Sequence, residues 1–410
     1  MVKRALCFFT GCGDAASFLF TLEYVATNFG IVRQQSVPRR RMLYGMKLAL
    51  CLVVLIVSAV AQPAKRTASS FEDVAARANA ARTSDKIDEA LALYRKAVVL
   101  RPSWAEGWFY LGTLHYDRNE FVAASTAFRK VTVLQPKSGT AFVMLGLSEF
   151  QLRQDDLALK HLKAAEELGV SDDPSLRKAA LLDEAILLQR KGRFDAARVP
   201  LNSLCHEHQE SEESLRLLGL VQLRLRAEQA KNAPATMLSR LGQAGCLAGQ
   251  KRMDEAKADY ASVVSEFATF PDIHYAFGNF LLDIPDIAAA REQFEREIAN
   301  NPQHVLARLK IASALYKTDS AAGIPYAEQA VKLDPSVALG HYLLGLLLLD
   351  VDDYKRAIPE LEVAKAGFAK EPKLFFALGS AYARAGRTED AEHARAEFKR
   401  LEKLQKAQSQ

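Results

Sequence analysis

A small residue returns at intervals of 33 or 34 positions through most of the 410-residue sequence. An interval of this length indicates stacked helical repeats, in which each unit contacts only its neighbours. The positions are Ala90, Ala124, Ala158, Ala197, Ala256, Ala290, Gly323, Ala357 and Ala391. The chain is therefore predicted to be one elongated all-α array.

Three further features return with the same period. A large residue follows most of the small residues by four positions, an apolar residue precedes Gly or Ala earlier in each unit, and several units end near a proline. Where two helices cross, a small residue lets the axes approach and a large side chain one turn away fills the remaining space. Proline ends the second helix because it cannot continue the backbone hydrogen bonds.

The segment 105–138 carries these features in order as Trp108, Leu111-Gly112, Ala124, Phe128 and Pro136. It resembles the tetratricopeptide repeat, a unit of two antiparallel helices, although His115 stands where the family pattern has Tyr. The resemblance implies a right-handed α-α superhelical solenoid of about nine helix pairs plus one extra helix.

The regular spacing breaks between Ala197 and Ala256, where an amphipathic Leu-rich run at 212–228 predicts an additional helix without a recognisable partner. The predicted divisions are an N-terminal extension at 1–41, a signal peptide at 42–61, a linker at 62–70, repeats at 71–211, the extra helix and its loop at 212–236, repeats with a C-terminal capping helix at 237–405, and a polar tail at 406–410.

The leader predicts export. Residues 46–61, MKLALCLVVLIVSAVA, combine a positive start, a short apolar run and a small-residue ending, which is typical of a secretory signal peptide. Met42 or Met46 would be an ordinary start, so residues 1–41 are interpreted as an over-extended reading frame. We expect a periplasmic protein. The alternatives are an uncleaved anchor through residues 47–61 and a weak twin-arginine signal at Arg39-Arg40.

Charge argues against nucleic acid as a partner. The formal net charge is +5, but the excess of basic residues lies in the first 61 positions, and the remainder carries equal numbers of each sign. Without a basic surface, the electrostatic basis of nucleic-acid binding is missing.

No pattern predicts catalytic residues, a metal site or a cofactor. His206 and His208 are two positions apart, so on a helix they point to opposite sides and do not form a zinc pair. His274 and His341 occupy the place of Trp108 in their units and are interpreted as packing residues. Cys205 and Cys246 favour two buried apolar side chains, with a disulfide left open as the alternative.

In the tetratricopeptide family the first helix of each pair lines a concave groove that binds partner peptides. Carried over through the Leu-Gly positions, the resemblance implies an aromatic and apolar groove. Its predicted residues are Phe109, Tyr116, Phe150, Tyr275, Asn279, Tyr316, Tyr342 and Phe376, with Thr113, Val143, Leu147, Leu282, Leu309, Ser313, Leu346 and Ser380 also on this face. The lysine sites that accompany Asn in family members that bind a free C-terminus hold Ala75 and Tyr275 here, which argues against that ligand.

The sequence therefore predicts a non-catalytic scaffold, adaptor or assembly factor of the cell envelope that binds protein or peptide segments in this groove. A self-associating structural repeat protein and an accessory docking subunit of an envelope enzyme are the alternatives. Membrane contact is expected only through an uncleaved leader.

Overall fold

The computed structural model describes residues 70–170 and 173–408, which contain nineteen α-helices and no strand. The predictions for the N-terminal extension, the signal peptide and nearly all of the linker lie outside these residues. Within the described residues, none of the helices combines the length and apolar character that a membrane span needs. The all-α fold of paired helices is confirmed.

Two compact units divide the described residues. The first comprises residues 70–148 with 168–170 and 173–174, and the second comprises residues 149–167 with 175–408. The helices of the first half of the chain are α1 Phe71–Thr83, α2 Ile87–Leu100, α3 Ala105–Asp117, α4 Phe121–Leu134, α5 Gly139–Gln151, α6 Asp155–Leu168, α7 Pro174–Arg190 and α8 Phe194–His206.

Of the later helices, the first precedes a short 3-10 turn at Gln229–Asn232 and the others follow that turn. They are α9 Glu212–Gln222, α10 Ala235–Gly249, α11 Met253–Glu266, α12 Ile273–Asp283, α13 Ile287–Asn300, α14 Val305–Leu315, α15 Ser320–Leu333, α16 Ala338–Asp350, α17 Tyr354–Phe368, α18 Pro372–Arg384 and α19 Thr388–Gln408. The last helix extends into the segment that we expected to be a polar tail.

Close helix crossings explain the glycine that follows an apolar residue in the first helices. A Cβ atom at Gly112 would lie 2.8 Å from the Phe128 ring, and one at Gly278 would lie 2.6 Å from the Phe294 ring. Both rings are fully buried. The glycine of the first helix therefore makes room for the large residue of the second, and burial of each such ring contributes about 2–3 kcal/mol to stability.

Trp108, His274 and His341 occupy the same repeat position, and each makes a hydrogen bond through a ring nitrogen. In two of the three units this bond joins the first helix to the turn before it. The indole Nε1–H of Trp108 donates to the carbonyl oxygen of Pro102 over 2.9 Å, and Nε2 of His341 lies 3.0 Å from that of Pro335. His274, at the same position, is buried with Nδ1 2.8 Å from Oε1 of Gln293. The interpretation of the two histidines as packing residues is confirmed.

The Leu-rich helix α9 has a partner, which the sequence analysis did not identify. A Cβ atom at Gly219 would lie 2.2 Å from the carbonyl oxygen of Leu238 on α10, and one at Gly242 would lie 1.9 Å from that of Leu215 on α9. The backbones of α9 and α10 are therefore in contact at two glycines.

Helix α9 is also shorter than predicted and ends like a first helix of a repeat. Arg224 adopts a left-handed backbone with φ 52°, as Asn119 and Asp352 do after α3 and α16, so the helix stops at Gln222 instead of continuing to 228. Like α3, α9 carries a Leu-Gly pair, Leu218-Gly219. We interpret α9 as a first helix whose second helix is replaced by the 3-10 turn.

A disulfide bridges this irregular segment. Cys205 on α8 and Cys246 on α10 are bonded, with their Cα atoms 5.2 Å apart. The favoured interpretation of two unbonded cysteines is wrong, although both side chains are buried as expected. Spacing alone could not show the bond, because the two residues are 41 positions apart and α9 lies between them in the sequence.

Candidate partner-binding site

The predicted groove residues lie on, or at the end of, the first helices of their pairs, and most of them pack within the chain. Phe109 is half-buried against the Phe128 ring, with centroids 5.7 Å apart. Tyr116 is half-buried beside Phe121 at 5.4 Å. Phe150 is half-buried with the Arg190 guanidinium 4.9 Å from its ring centroid.

Tyr275 lies in the core of the second unit and is only 3% exposed. Its ring contacts Phe294 at 5.7 Å and His304 at 5.1 Å. Burial raises the pKa of its hydroxyl, against the opposing effect of a hydrogen bond with Asn279. Asn279 is half-buried and donates from Nδ2 to the Tyr275 carbonyl oxygen over 3.0 Å. The family pattern did not distinguish this ring from an exposed groove residue.

Of the three predicted groove rings on the C-terminal helices, two are half-buried and one is exposed. Tyr316 is half-buried, with the Lys317 ammonium 5.0 Å from its ring centroid. Tyr342 stacks on Phe368 at 4.9 Å, and burial raises the pKa of its hydroxyl. Phe376 on α18 is 62% exposed. It is therefore the predicted groove ring with the most surface for a partner.

Three of the apolar residues of the predicted groove are buried, whereas Leu282 and Leu346 are half-buried. Val143 and Leu147 on α5 and Leu309 on α14 have almost no exposed surface. Their assignment to an open face is wrong, because the same side of the first helix also faces the neighbouring helix. The candidate site is therefore more aromatic and polar than the sequence predicted.

A cavity of about 200 Å³ lies in the second unit and includes two of the predicted residues, Tyr275 and Asn279. Its wall is formed by α8, α9, α10, α11 and α12 together with Lys310 of α14. The charged residues of the wall are Asp195, Arg198, Arg224, Asp283 and Lys310. The end of α9 and the turn that follows it contribute Val221, Gln222 and Arg224 to this wall.

The sequence does not predict these charged residues as neighbours. Asp195 and Arg198 lie on the second helix α8, which the family pattern does not place in the groove. A signal for the irregular segment was present, since Leu218-Gly219 and Leu241-Gly242 continue the Leu-Gly series across it. Two such pairs only 23 positions apart predict two first helices with no second helix between them.

Within the described residues, one His and carboxylate cluster, Asp272, Glu297 and His304, has the spacing of a metal site. Its groups make hydrogen bonds within the protein instead. Glu297 accepts from the backbone N–H groups of Asp272 and Tyr275 at 3.0 and 3.3 Å. His304 accepts from the Ala307 N–H at Nδ1 over 3.0 Å, so Nε2 donates to Asp272 over 2.7 Å. We assign the cluster to the structural joining of α12, α13 and α14.

The HxH pair lies at the end of α8. His206 is the last residue of that helix, and His208 follows in a left-handed turn with φ 52°. Both side chains are exposed. The solvated helix end expected from the sequence is what the structure has.

Asp183 on α7 predicts a pH dependence of stability. Burial raises its pKa to about 7, opposed by Arg190 and assisted by Glu213. Since the pKa in the unfolded chain is near 3.8, the folded state binds more protons between these values. The contribution of the Asp183 carboxyl group to the free energy of unfolding therefore falls as pH rises from about 4 to about 7.

Asp183→Asn is expected to raise the free energy of unfolding at pH 8 by about 1–3 kcal/mol and to leave it almost unchanged at pH 4. Urea unfolding at both pH values measures this, with the exposed Asp254→Asn as the control. An equal gain at both pH values would show that the charge of Asp183 is not its cause.

Comparison with known proteins identifies the repeats. The family model described as tetratricopeptide repeat matches residues 75–139, 275–323, 313–372 and 342–397. No curated protein matches the chain by sequence.

Solved structures similar to part of the chain include MamA residues 41 to the end from Desulfovibrio magneticus RS-1, at 20% identity over 42% of this chain and 97% of that chain, TM-score 0.38. A crystal structure of MamA is 19% identical over 40% of this chain and 96% of that chain, TM-score 0.38. Proteins of repeated helix pairs of this kind are in general scaffolds for protein interaction and are typically not catalytic. Residues 75–139 and 275–397 therefore belong to repeats of the tetratricopeptide family.

Proposed function

We propose that this protein is a non-catalytic scaffold of the bacterial cell envelope that holds segments of partner proteins against its first helices. The observation that carries the proposal is the exposed aromatic ring of Phe376 on α18, at a position where family members contact their partners. Large aromatic residues bury much area on binding and lose few rotamers, so they dominate the energetics of many protein interfaces.

The cavity that Tyr275 and Asn279 line offers a second contact for a partner segment. It is a concave surface with aromatic, amide and charged groups, which suits one or two anchoring side chains of a bound segment. Partners are therefore expected to be proteins that present an extended or helical segment.

Export is part of the proposal and is supported by the disulfide. Structural disulfides form and persist in oxidising compartments such as the periplasm, and they are rare where thiols are kept reduced. A buried bond between Cys205 and Cys246 fits a chain whose leader reads as a signal peptide. Uncleaved anchoring through residues 47–61 is the alternative arrangement.

Photocrosslinking in intact cells tests the proposal. A photoreactive phenylalanine analogue replaces Phe376 on the first helix α18 or, as the matched control, Val363 on the second helix α17, which is 49% exposed. We expect about tenfold more adducts with envelope proteins from position 376, because hot-spot positions concentrate contact. Mass spectrometry of the recovered chain should show an N-terminus at Gln62.

Equal adducts from positions 376 and 363 would contradict the assignment of the binding face. Adducts only between copies of the chain would favour the self-associating structural protein. A recovered chain that retains the leader and lies in the cytoplasm would contradict export.

A further inference from the structure

The cavity in the second unit has an unbalanced set of charges. Asp195 and Asp283 each pair with an arginine: Arg224 lies 3.3 Å from the first, and Arg198 lies 3.6 Å from the second. The fifth charge, the ammonium group of Lys310 on α14, has no hydrogen bond or ion pair with the described residues. The wall therefore carries one uncompensated positive charge.

Lys310 is half-buried, and its position is unfavourable for a lone cation. Burial lowers the pKa of its ammonium group, and the neighbouring charges of Asp195 and Arg198 oppose each other. A buried charge is stabilised when an opposite charge and hydrogen-bond donors or acceptors surround it. One carboxylate beside Lys310 would satisfy that requirement and make the charge of the cavity neutral.

The size and lining of the cavity restrict what can bring this carboxylate. A volume of about 200 Å³ is below that of common small-molecule sites, which run from about 300 to 1,000 Å³. It has room for one side chain. Tyr275, Phe280 and Leu282 line it beside the charged groups and offer apolar contact for methylene groups. Asn279 donates to the Tyr275 carbonyl oxygen and also has a hydrogen bond with the Tyr275 hydroxyl, so Lys310 is the group left to bind an incoming oxygen.

We propose that this cavity receives the side-chain carboxylate of a glutamate or aspartate within a bound partner segment, and that Lys310 is its ion-pair partner. The inference rests on the proposed scaffold function and specifies the chemistry of the partner at this place. The methylene groups of the acidic residue pack on Tyr275 and Leu282, while its oxygens bind the ammonium group of Lys310. A partner segment that binds here has an acidic residue at the position that enters the cavity.

Nuclear magnetic resonance of the purified chain from Gln62, with 13C at the lysine Cε positions, tests the inference. The variants Lys310→Arg and Lys310→Met identify the Lys310 signal, because that signal is absent from their spectra. The probes are then titrated into the parent chain, and the shift of its Lys310 signal is measured. Three probes are added: acetyl-glutamate methylamide with a side-chain carboxylate, acetyl-glutamine with a terminal carboxylate, and acetyl-glutamine methylamide without a charge. Sodium sulfate is the control for a general anion effect.

The expected result is a saturable shift of the Lys310 signal with acetyl-glutamate methylamide, at about tenfold lower concentration than with either glutamine compound, which corresponds to about 1.4 kcal/mol. The exposed Lys365 should not respond in this way. A missing shift, an equal response to sulfate, or an equal response to the terminal carboxylate would each overturn the inference.

The two proposals fail separately. Photocrosslinking at position 376 does not involve Lys310, so adducts there with no Lys310 response would retain the scaffold and remove the acidic side chain. A Lys310 response without adducts from position 376 would retain the carboxylate site and contradict the assignment of Phe376.

Discussion

Gly242→Ala is expected to destabilise the second unit by about 2–4 kcal/mol. The new Cβ atom would lie 1.9 Å from the carbonyl oxygen and 2.6 Å from the carbonyl carbon of Leu215. These are backbone atoms of α9, so no rotamer change can relieve the contact and the two helices must separate. Urea unfolding followed by circular dichroism measures the loss.

Gly249→Ala is the matched control on the same helix. There the nearest atoms to the added Cβ are Cys205 Cβ at 3.5 Å and Asn202 Oδ1 at 3.6 Å, which is ordinary contact. Alanine also has the higher helix propensity, so this variant should remain within about 0.5 kcal/mol of the parent or be slightly more stable. Equal losses from both variants would show that the close crossing of α9 and α10 is not the cause.

Reduction of the Cys205–Cys246 disulfide is expected to lower the free energy of unfolding by about 4 kcal/mol. The bond closes a segment of 41 residues, and the loss of unfolded-state entropy for a loop of that length accounts for a stabilisation of this size. Thermal unfolding with and without a reductant should show a lower Tm in the reduced chain.

The double variant Cys205→Ala/Cys246→Ala separates this effect from a general action of the reductant. Its Tm should be near that of the reduced parent and should not change when reductant is added. A parent whose Tm is the same with and without the bond would contradict a stabilising role for the disulfide and would weaken its support for an oxidising compartment.

The sequence was sufficient for the regular part of the fold because that part depends on short-range packing. Phe128 packs against Gly112 within one helix pair, and the same contact recurs between Phe294 and Gly278. The irregular segment does not follow the period. There the left-handed turn at Arg224 and the contact of Gly219 with Leu238 depend on how two first helices meet, and no repeat elsewhere in the described chain supplies a template.

The candidate site was predicted less well than the fold. The family pattern places a residue on a first helix, but it does not say whether the neighbouring helix covers it. Phe376 is exposed and Tyr275 is buried, although both occupy groove positions in the pattern. The sequence did not predict Lys310 and Arg198 as neighbours because α8, α12 and α14 meet at this cavity only in the folded irregular segment.

The disulfide also changes how the chain can be taken apart from one end. A fully extended chain gains at most about 3.4 Å per residue, so the bond withholds about 140 Å of length from a machine that pulls on either terminus. A processive protease that threads single strands would meet a covalent loop at Cys205 or Cys246 and would have to admit two strands at once. The middle of the array would then outlast its ends during degradation unless the bond is reduced first.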